Sequence, residues 1–160
     1  MSRKRTVRRV WRMVNPIAHA IQGAAITPRS ELDKLLAREL ASLDDLTHGR
    51  GGLQQWNDMA HVVNLCESLA LNGVGPEALE ACVLAQEGLI DAARRFQKTQ
   101  RMGLTGVAIQ ALRDVIEYHD LQRSSISRSQ YEKTIAGLRS QILNNVNTVH
   151  LDKLLETEAA

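Results

Sequence analysis

The feature that most constrains the fold is the stretch from Pro76 to Met102, which is apolar around most of a helical circumference. At 100° per residue, its larger apolar side chains fall on one face. A second face carries only small residues at spacings of 3 and 4, and such residues let a neighbouring helix approach closely: Ala78, Ala81, Ala85, Gly88 and Ala92. The stretch therefore predicts a helix with neighbours on two sides, starting at Pro76 and ending before Gly103.

Apolar residues recur with helical spacing in four further segments, near residues 28–48, 53–72, 104–124 and 127–147. The first carries a leucine stripe made of Leu32, Leu35, Leu36, Leu40, Leu43 and Leu46. A chain of 160 residues that is 44% hydrophobic has the size and composition of one globular domain. The predicted fold class is all-α, a single-domain bundle of five to six antiparallel helices around a central helix at about 76–102.

Three segments differ in composition. Residues 1–14 form a basic N-terminal arm, residues 15–147 form the helical bundle, and residues 148–160 are a C-terminal tail or a short docking helix. The whole chain has a net charge of +2, yet residues 1–12 hold six cations and no acid, which leaves 14 basic and 18 acidic residues elsewhere. The body of the protein is therefore mildly acidic and its arm strongly basic.

The arm is the strongest functional feature of the sequence. Each cation that neutralises a phosphate releases counterions, and Trp11 offers a ring for stacking on a base. DNA or RNA is the expected partner, and the predicted nucleic-acid-binding residues are Arg3, Lys4, Arg5, Arg8, Arg9, Trp11 and Arg12. The alternative is that the charged end only keeps the chain soluble while Trp11 packs on the bundle.

The last predicted helix has a narrow apolar line of a kind that suits a helix seam. Its members are the predicted partner-binding residues Tyr131, Ile135, Leu138 and Ile142. This helix is expected either to lie on the bundle or to pair with another chain. A homodimer and a host protein are accordingly the alternative partners to nucleic acid.

Glu39, Gln86 and His119 are polar residues on the predicted inward faces of three different helices. If they meet, a carboxylate would orient the imidazole and raise its pKa, as in a general base. The competing interpretation is that they are satisfied polar groups in the core. Because the sequence shows neither a nucleophile nor an electrostatic clamp to go with them, we predict that the protein is not an enzyme.

Asp58 with His61, and Asp45 with His48, have the i, i+3 spacing of two metal ligands. His61 falls on a polar face and His48 at a helix end, and no HExxH or clustered-cysteine pattern accompanies either pair. No metal or cofactor is predicted. Two cysteines on apolar faces indicate reduced core residues. With neither an integral membrane segment nor a secretory signal in the pattern, a cytoplasmic location is expected.

The segments RRVWRMVNPIAHAI, NGVGPEAL and LRDVIEYHDLQR resemble those of small helical proteins of unassigned activity carried by prophages of Gram-negative bacteria. The resemblance implies an accessory protein of a phage or mobile element, whose work is binding to nucleic acid, a host regulator or a defence complex. Three functions are expected in this order: nucleic-acid binding through the arm, a protein-binding regulator or inhibitor acting through helical surfaces, and a small enzyme using Glu39 and His119.

Overall fold

The structure, a computed structural model, describes residues 23–144. Over that range it contains five α-helices and one 3-10 turn, in the order α1 Arg29–Thr47, α2 Leu53–Leu71, the turn Pro76–Ala78, α3 Leu79–Thr99, α4 Gly106–Ser125 and α5 Arg128–Leu143. The predicted all-α bundle is confirmed. The predicted arm at 1–14 and tail at 148–160 lie outside the described residues, so the proposed domain boundaries stay predictions.

Local chemistry fixes where the helices begin and end. The Thr105 side chain accepts a hydrogen bond from the Ala108 amide at 3.2 Å at the start of α4, and Ser127 does the same at the start of α5. After α2 the chain turns at Gly73, where φ is 88°. A left-handed residue of this kind costs little only for glycine, so the predicted stop after α2 is confirmed.

The helix predicted over 76–102 is shorter than expected. Its first turn is the 3-10 turn, and α3 ends at Thr99 because Gln100 takes the left-handed conformation at φ 58°. Gly103 therefore does not stop it. Met102, which lies beyond the helix, is 3% exposed and packs in the core from the loop.

The helix predicted to be central does have neighbours on two sides, as expected, but α4 contacts one helix more. α3 packs mainly against α2 and α4, whereas α4 contacts α1, α2 and α3. On α3, Val83 and Leu84 are 49% and 41% exposed. α4 occupies the middle because it buries residues around more of its circumference, including polar ones: Ala108, Ala111, Leu112, Val115, Ile116, His119, Asp120, Gln122 and Arg123.

The predicted small-residue face does form the close contact between α3 and α4. A Cβ atom placed on Gly88 would lie 2.3 Å from the Ala108 Cβ and 3.2 Å from its Cα. Ala85 and Ala92, one turn to either side on the same face, are 0% exposed. The absence of a side chain at position 88 therefore allows α3 and α4 to pack this closely.

The leucine stripe of α1 is only partly buried. Leu32, Leu43 and Leu46 are in the core, whereas Leu35 and Leu40 are 40% and 46% exposed. The inward line follows positions 32, 36, 39, 43 and 46 at spacings of 3 and 4, and Leu35 and Leu40 lie about 60° and about 80° to either side of its mean direction. Glu39 therefore stands on the inward line.

α2 and α3 are joined by core packing and by side-chain hydrogen bonds. Cys66 on α2 and Cys82 on α3 are both 0% exposed, as predicted for core cysteines. The Trp56 indole Nε1 donates to the Leu89 carbonyl at 2.8 Å. Within residues 23–144 no helix combines the length and the apolar character that crossing a bilayer requires.

Candidate functional site: a buried polar cluster on α4

The most unusual chemistry in the described residues is a cluster of charged and polar side chains in the inward face of α4. Arg123 contacts Glu39 of α1 with two hydrogen bonds, from Nη1 to Oε1 at 2.6 Å and from Nη2 to Oε2 at 2.9 Å. The Arg123 side chain is 1% exposed and that of Glu39 is 13% exposed. This is the bidentate geometry in which a guanidinium and a carboxylate bind most strongly.

Asp120 extends the ion pair towards the surface. Its Oδ1 lies 3.5 Å from Arg123 Nη2, and its Oδ2 accepts from Arg29 Nη1 at 2.8 Å. Arg29 also pairs with Asp33 at 2.7 Å, so two arginines face three carboxylates in one connected group. Arg123 Nε is buried and has no hydrogen-bond partner within the structure.

Burial and charge act in opposite directions on this pair. Burial alone lowers the pKa of Arg123, but its hydrogen bonds and ion pair with Glu39 outweigh that effect and the net shift is upward. The guanidinium is therefore charged at neutral pH. A group that cannot give up its proton positions its partners and does not act as an acid or base.

His119 lies one turn before Arg123 on α4 and is 0% exposed. Gln122 Nε2 donates to the carbonyls of Cys66 and Val74 at 3.1 and 2.7 Å, so its amide oxygen is the atom that faces His119 Nδ1, at 3.4 Å. Because the Gln122 oxygen can only accept, the His119 proton is on Nδ1. His119 Nε2 then accepts a hydrogen bond from the Tyr131 hydroxyl at 3.1 Å. The neutral imidazole is satisfied on both sides.

This environment lowers the pKa of His119 to about 3, chiefly through burial and further through the positive charge of Arg123. The sequence hypothesis required the opposite, a carboxylate that raises the pKa of this ring. The carboxylate of Glu39 is engaged by Arg123, and Gln86 donates to Glu67 Oε2 at 2.8 Å. Glu39, Gln86 and His119 thus have separate partners, which contradicts the general-base hypothesis and agrees with the interpretation that they are satisfied polar groups.

The other paired residues of the sequence analysis also have ordinary partners. Asp58 accepts from Ser42 and Gln54, at 2.9 and 3.0 Å, while His61 is exposed. Asp45 pairs with Arg50 at 3.1 Å. In the part of the chain that the structure describes, no group of three or more His, Cys, Asp or Glu residues is placed to hold a metal ion.

The predicted binding residues fall into two groups. The nucleic-acid-binding residues of the arm, from Arg3 to Arg12, lie outside the described residues. The predicted partner-binding line lies on α5, where Tyr131, Ile135 and Leu138 are half-buried and α2 is the main helix that α5 contacts. Ile142 is 43% exposed. Most of that line therefore takes part in packing α5 on its own bundle.

Another face of α5 is open. It borders a groove of about 650 Å³, which we call the α5 groove, lined by Glu132, Ile135, Ala136, Arg139, Ser140, Leu143 and Asn144. No residue of α5 is fully buried, and Leu143 is 82% exposed. The concave surface and the buried polar cluster are thus different places, and the cluster residues do not line this groove.

Sequence reasoning missed Arg123, Asp120 and Gln122. A signal was present, because positions 112, 115, 116, 119, 122 and 123 follow the i, i+3, i+4, i+7 pattern of one inward helix face. A charged residue on such a face indicates a buried partner on a neighbouring helix, which here is Glu39.

Comparison of the chain with protein-family models, with curated proteins and with solved structures finds no match. The function is therefore inferred from the charges, burial and packing of the chain's own residues.

Proposed function

We propose that this chain is a non-enzymatic binding protein that contacts nucleic acid through its basic N-terminal segment, residues 1–12. The observation that carries the proposal is the distribution of charge. Six of the 20 Lys and Arg residues lie in those twelve positions, without an acid among them. Nucleic-acid binding of this sequence-independent type depends on the number of cations that can reach phosphates.

The described body supports this division of roles. Residues 23–144 contain 13 basic and 15 acidic residues, so the body repels a polyanion weakly. Several of its arginines already face carboxylates of the same chain: Arg29, Arg38, Arg50, Arg94, Arg123 and Arg128. On α3, for example, Arg94 lies 3.7 Å from Asp91.

The test is fluorescence anisotropy with duplex DNA, single-stranded DNA and RNA at two salt concentrations. Six phosphate contacts predict a slope of log K against log salt of about −5 on duplex DNA and about −4 on single strands. Replacing Arg3, Arg5, Arg8 and Arg9 by glutamine should reduce that slope to about −2. The matched control replaces four cations of α3 and its following loop, Arg94, Arg95, Lys98 and Arg101, and should change the slope by less than one.

Two results would end the proposal. The first is that the intact chain fails to bind any of the three nucleic acids at 50 mM salt. The second is that both four-residue variants reduce binding equally, since net charge alone would then explain the effect. Quenching of Trp11 emission on single strands, absent in the arm variant, would identify base stacking.

A second candidate function, a protein-binding regulator or inhibitor, is favoured by the open face of α5. An exposed apolar stripe with charged edges is the usual form of a helix-binding surface. Affinity capture from a bacterial extract with the wild-type chain and with a Leu143→Arg variant tests it. A captured protein that is lost in the variant supports this function, and equal capture by both contradicts it.

A further inference from the structure

The α5 groove has a charge pattern that is complementary to itself. Glu132 and Arg139 line it at positions seven residues apart, which is about two helical turns or ~10 Å. Both side chains are exposed. Glu132 pairs at 3.4 Å with Arg128, itself more than half exposed, and Arg139 has no ion pair within residues 23–144. Exposed pairs of this kind stabilise little and are readily exchanged.

Two copies of such a helix can pair about a two-fold axis. If they run antiparallel with the axis between positions 135 and 136, Glu132 of each copy lies opposite Arg139 of the other. A two-fold interface uses the same patch on both subunits, so this one arrangement satisfies two charge pairs at once. Parallel pairing would place like charges opposite each other at both levels.

The middle of the groove suits a close helix contact. Ala136, which lines the groove, is small and exposed, and Ile135 is half-buried beside it. At the end of the groove, Leu143 is 82% exposed and would lie over the aliphatic stem of Arg128 of the second copy.

We propose that a second copy of this chain docks antiparallel on the α5 groove and forms a two-fold symmetric dimer. α5 has 16 residues, so the contact is at most ~24 Å long. One helix face of this length is smaller than the ~800 Å² per partner of a standard interface, and dissociation constants in the micromolar range are expected. The proposal does not depend on nucleic-acid binding.

The test is sedimentation velocity of the full chain from 5 to 500 µM, together with charge-reversal variants. Glu132→Arg or Arg139→Glu alone places like charges opposite each other twice and should weaken dimerisation roughly tenfold or more. The double variant Glu132→Arg/Arg139→Glu restores both pairs and should return the dissociation constant to within about threefold of wild type. Glu117→Arg, an exposed change on α4, is the matched control and should have no effect.

Two results would overturn the proposal. The first is a monomer at every concentration; if Leu143→Arg then also lowers its thermal stability, the groove is filled by another part of the same chain. The second is a dimer whose affinity does not respond to the two single reversals, or is not restored by the double variant.

Discussion

Removing Glu39 should destabilise the protein strongly, because it leaves the Arg123 guanidinium buried without its main partner. Arg123 is 1% exposed, and after Glu39→Leu its remaining carboxylate is Asp120 at 3.5 Å, which Arg29 also holds at 2.8 Å. Breaking a buried ion pair from one side costs about 3–5 kcal/mol. Because Asp120 remains, we expect the lower end, a loss of about 3 kcal/mol in the free energy of unfolding.

Removing Arg123 instead of Glu39 should lower the free energy of unfolding by less. Arg123→Met leaves a Glu39 carboxylate that is 13% exposed, so water can reach it at the edge of the bundle, and about 2 kcal/mol is expected. The double variant Glu39→Leu/Arg123→Met contains neither charge and should lie within about 1 kcal/mol of wild type. The two single costs, about 5 kcal/mol together, then exceed the double cost by about 4–6 kcal/mol, which is the coupling energy of the pair.

Urea unfolding followed by circular dichroism measures these four free energies. Glu117→Leu, which removes an exposed carboxylate from the same helix, is the control and should change stability by less than about 0.5 kcal/mol. The reasoning is refuted if Glu39→Leu costs less than 1 kcal/mol, or if the double variant is as unstable as the two single variants added together.

The remaining predictions concern His119, the α3–α4 contact and the Trp56 hydrogen bond. Burial lowers the pKa of His119 to about 3, so as the pH falls the imidazole is protonated in the unfolded chain before it is protonated in the folded protein. The free energy of unfolding should therefore fall by about 2 kcal/mol between pH 6.5 and pH 5. His119→Gln should remove this decrease in urea titrations at several pH values. Gly88→Ala should lower the free energy of unfolding by about 1–3 kcal/mol despite alanine's better helix propensity, since its Cβ meets Ala108 at 2.3 Å. The matched variant Gly137→Ala, whose Cβ meets nothing within 4 Å, should raise the free energy of unfolding by about 0.5–1 kcal/mol. Equal effects of the two alanines would contradict the close contact between Gly88 and Ala108. Trp56→Phe removes the 2.8 Å bond to the Leu89 carbonyl and should cost about 1–2 kcal/mol in thermal unfolding, whereas a change below 0.3 kcal/mol would show that the bond contributes nothing net.

The sequence by itself determined the fold class and most of the helix positions. Apolar spacing along one chain segment depends only on the geometry of that segment, so α2, α4 and α5 were predicted to within two residues at their described starts. The close contact at Gly88 followed from the same logic, since a run of small residues on one face has a meaning that does not depend on the identity of the neighbour. The charge of the first twelve residues is likewise a property of the sequence alone.

Only the tertiary structure decided which helix lies at the centre and which polar residues meet. α4 occupies the middle because Asp120, Gln122 and Arg123 are buried there, and polar residues are buried only when partners from other helices satisfy them. Those partners, Glu39 and the carbonyls of Cys66 and Val74, are between 48 and 84 positions away along the chain. No periodicity in a single helix encodes such pairs, because they depend on how several helices are arranged around one another.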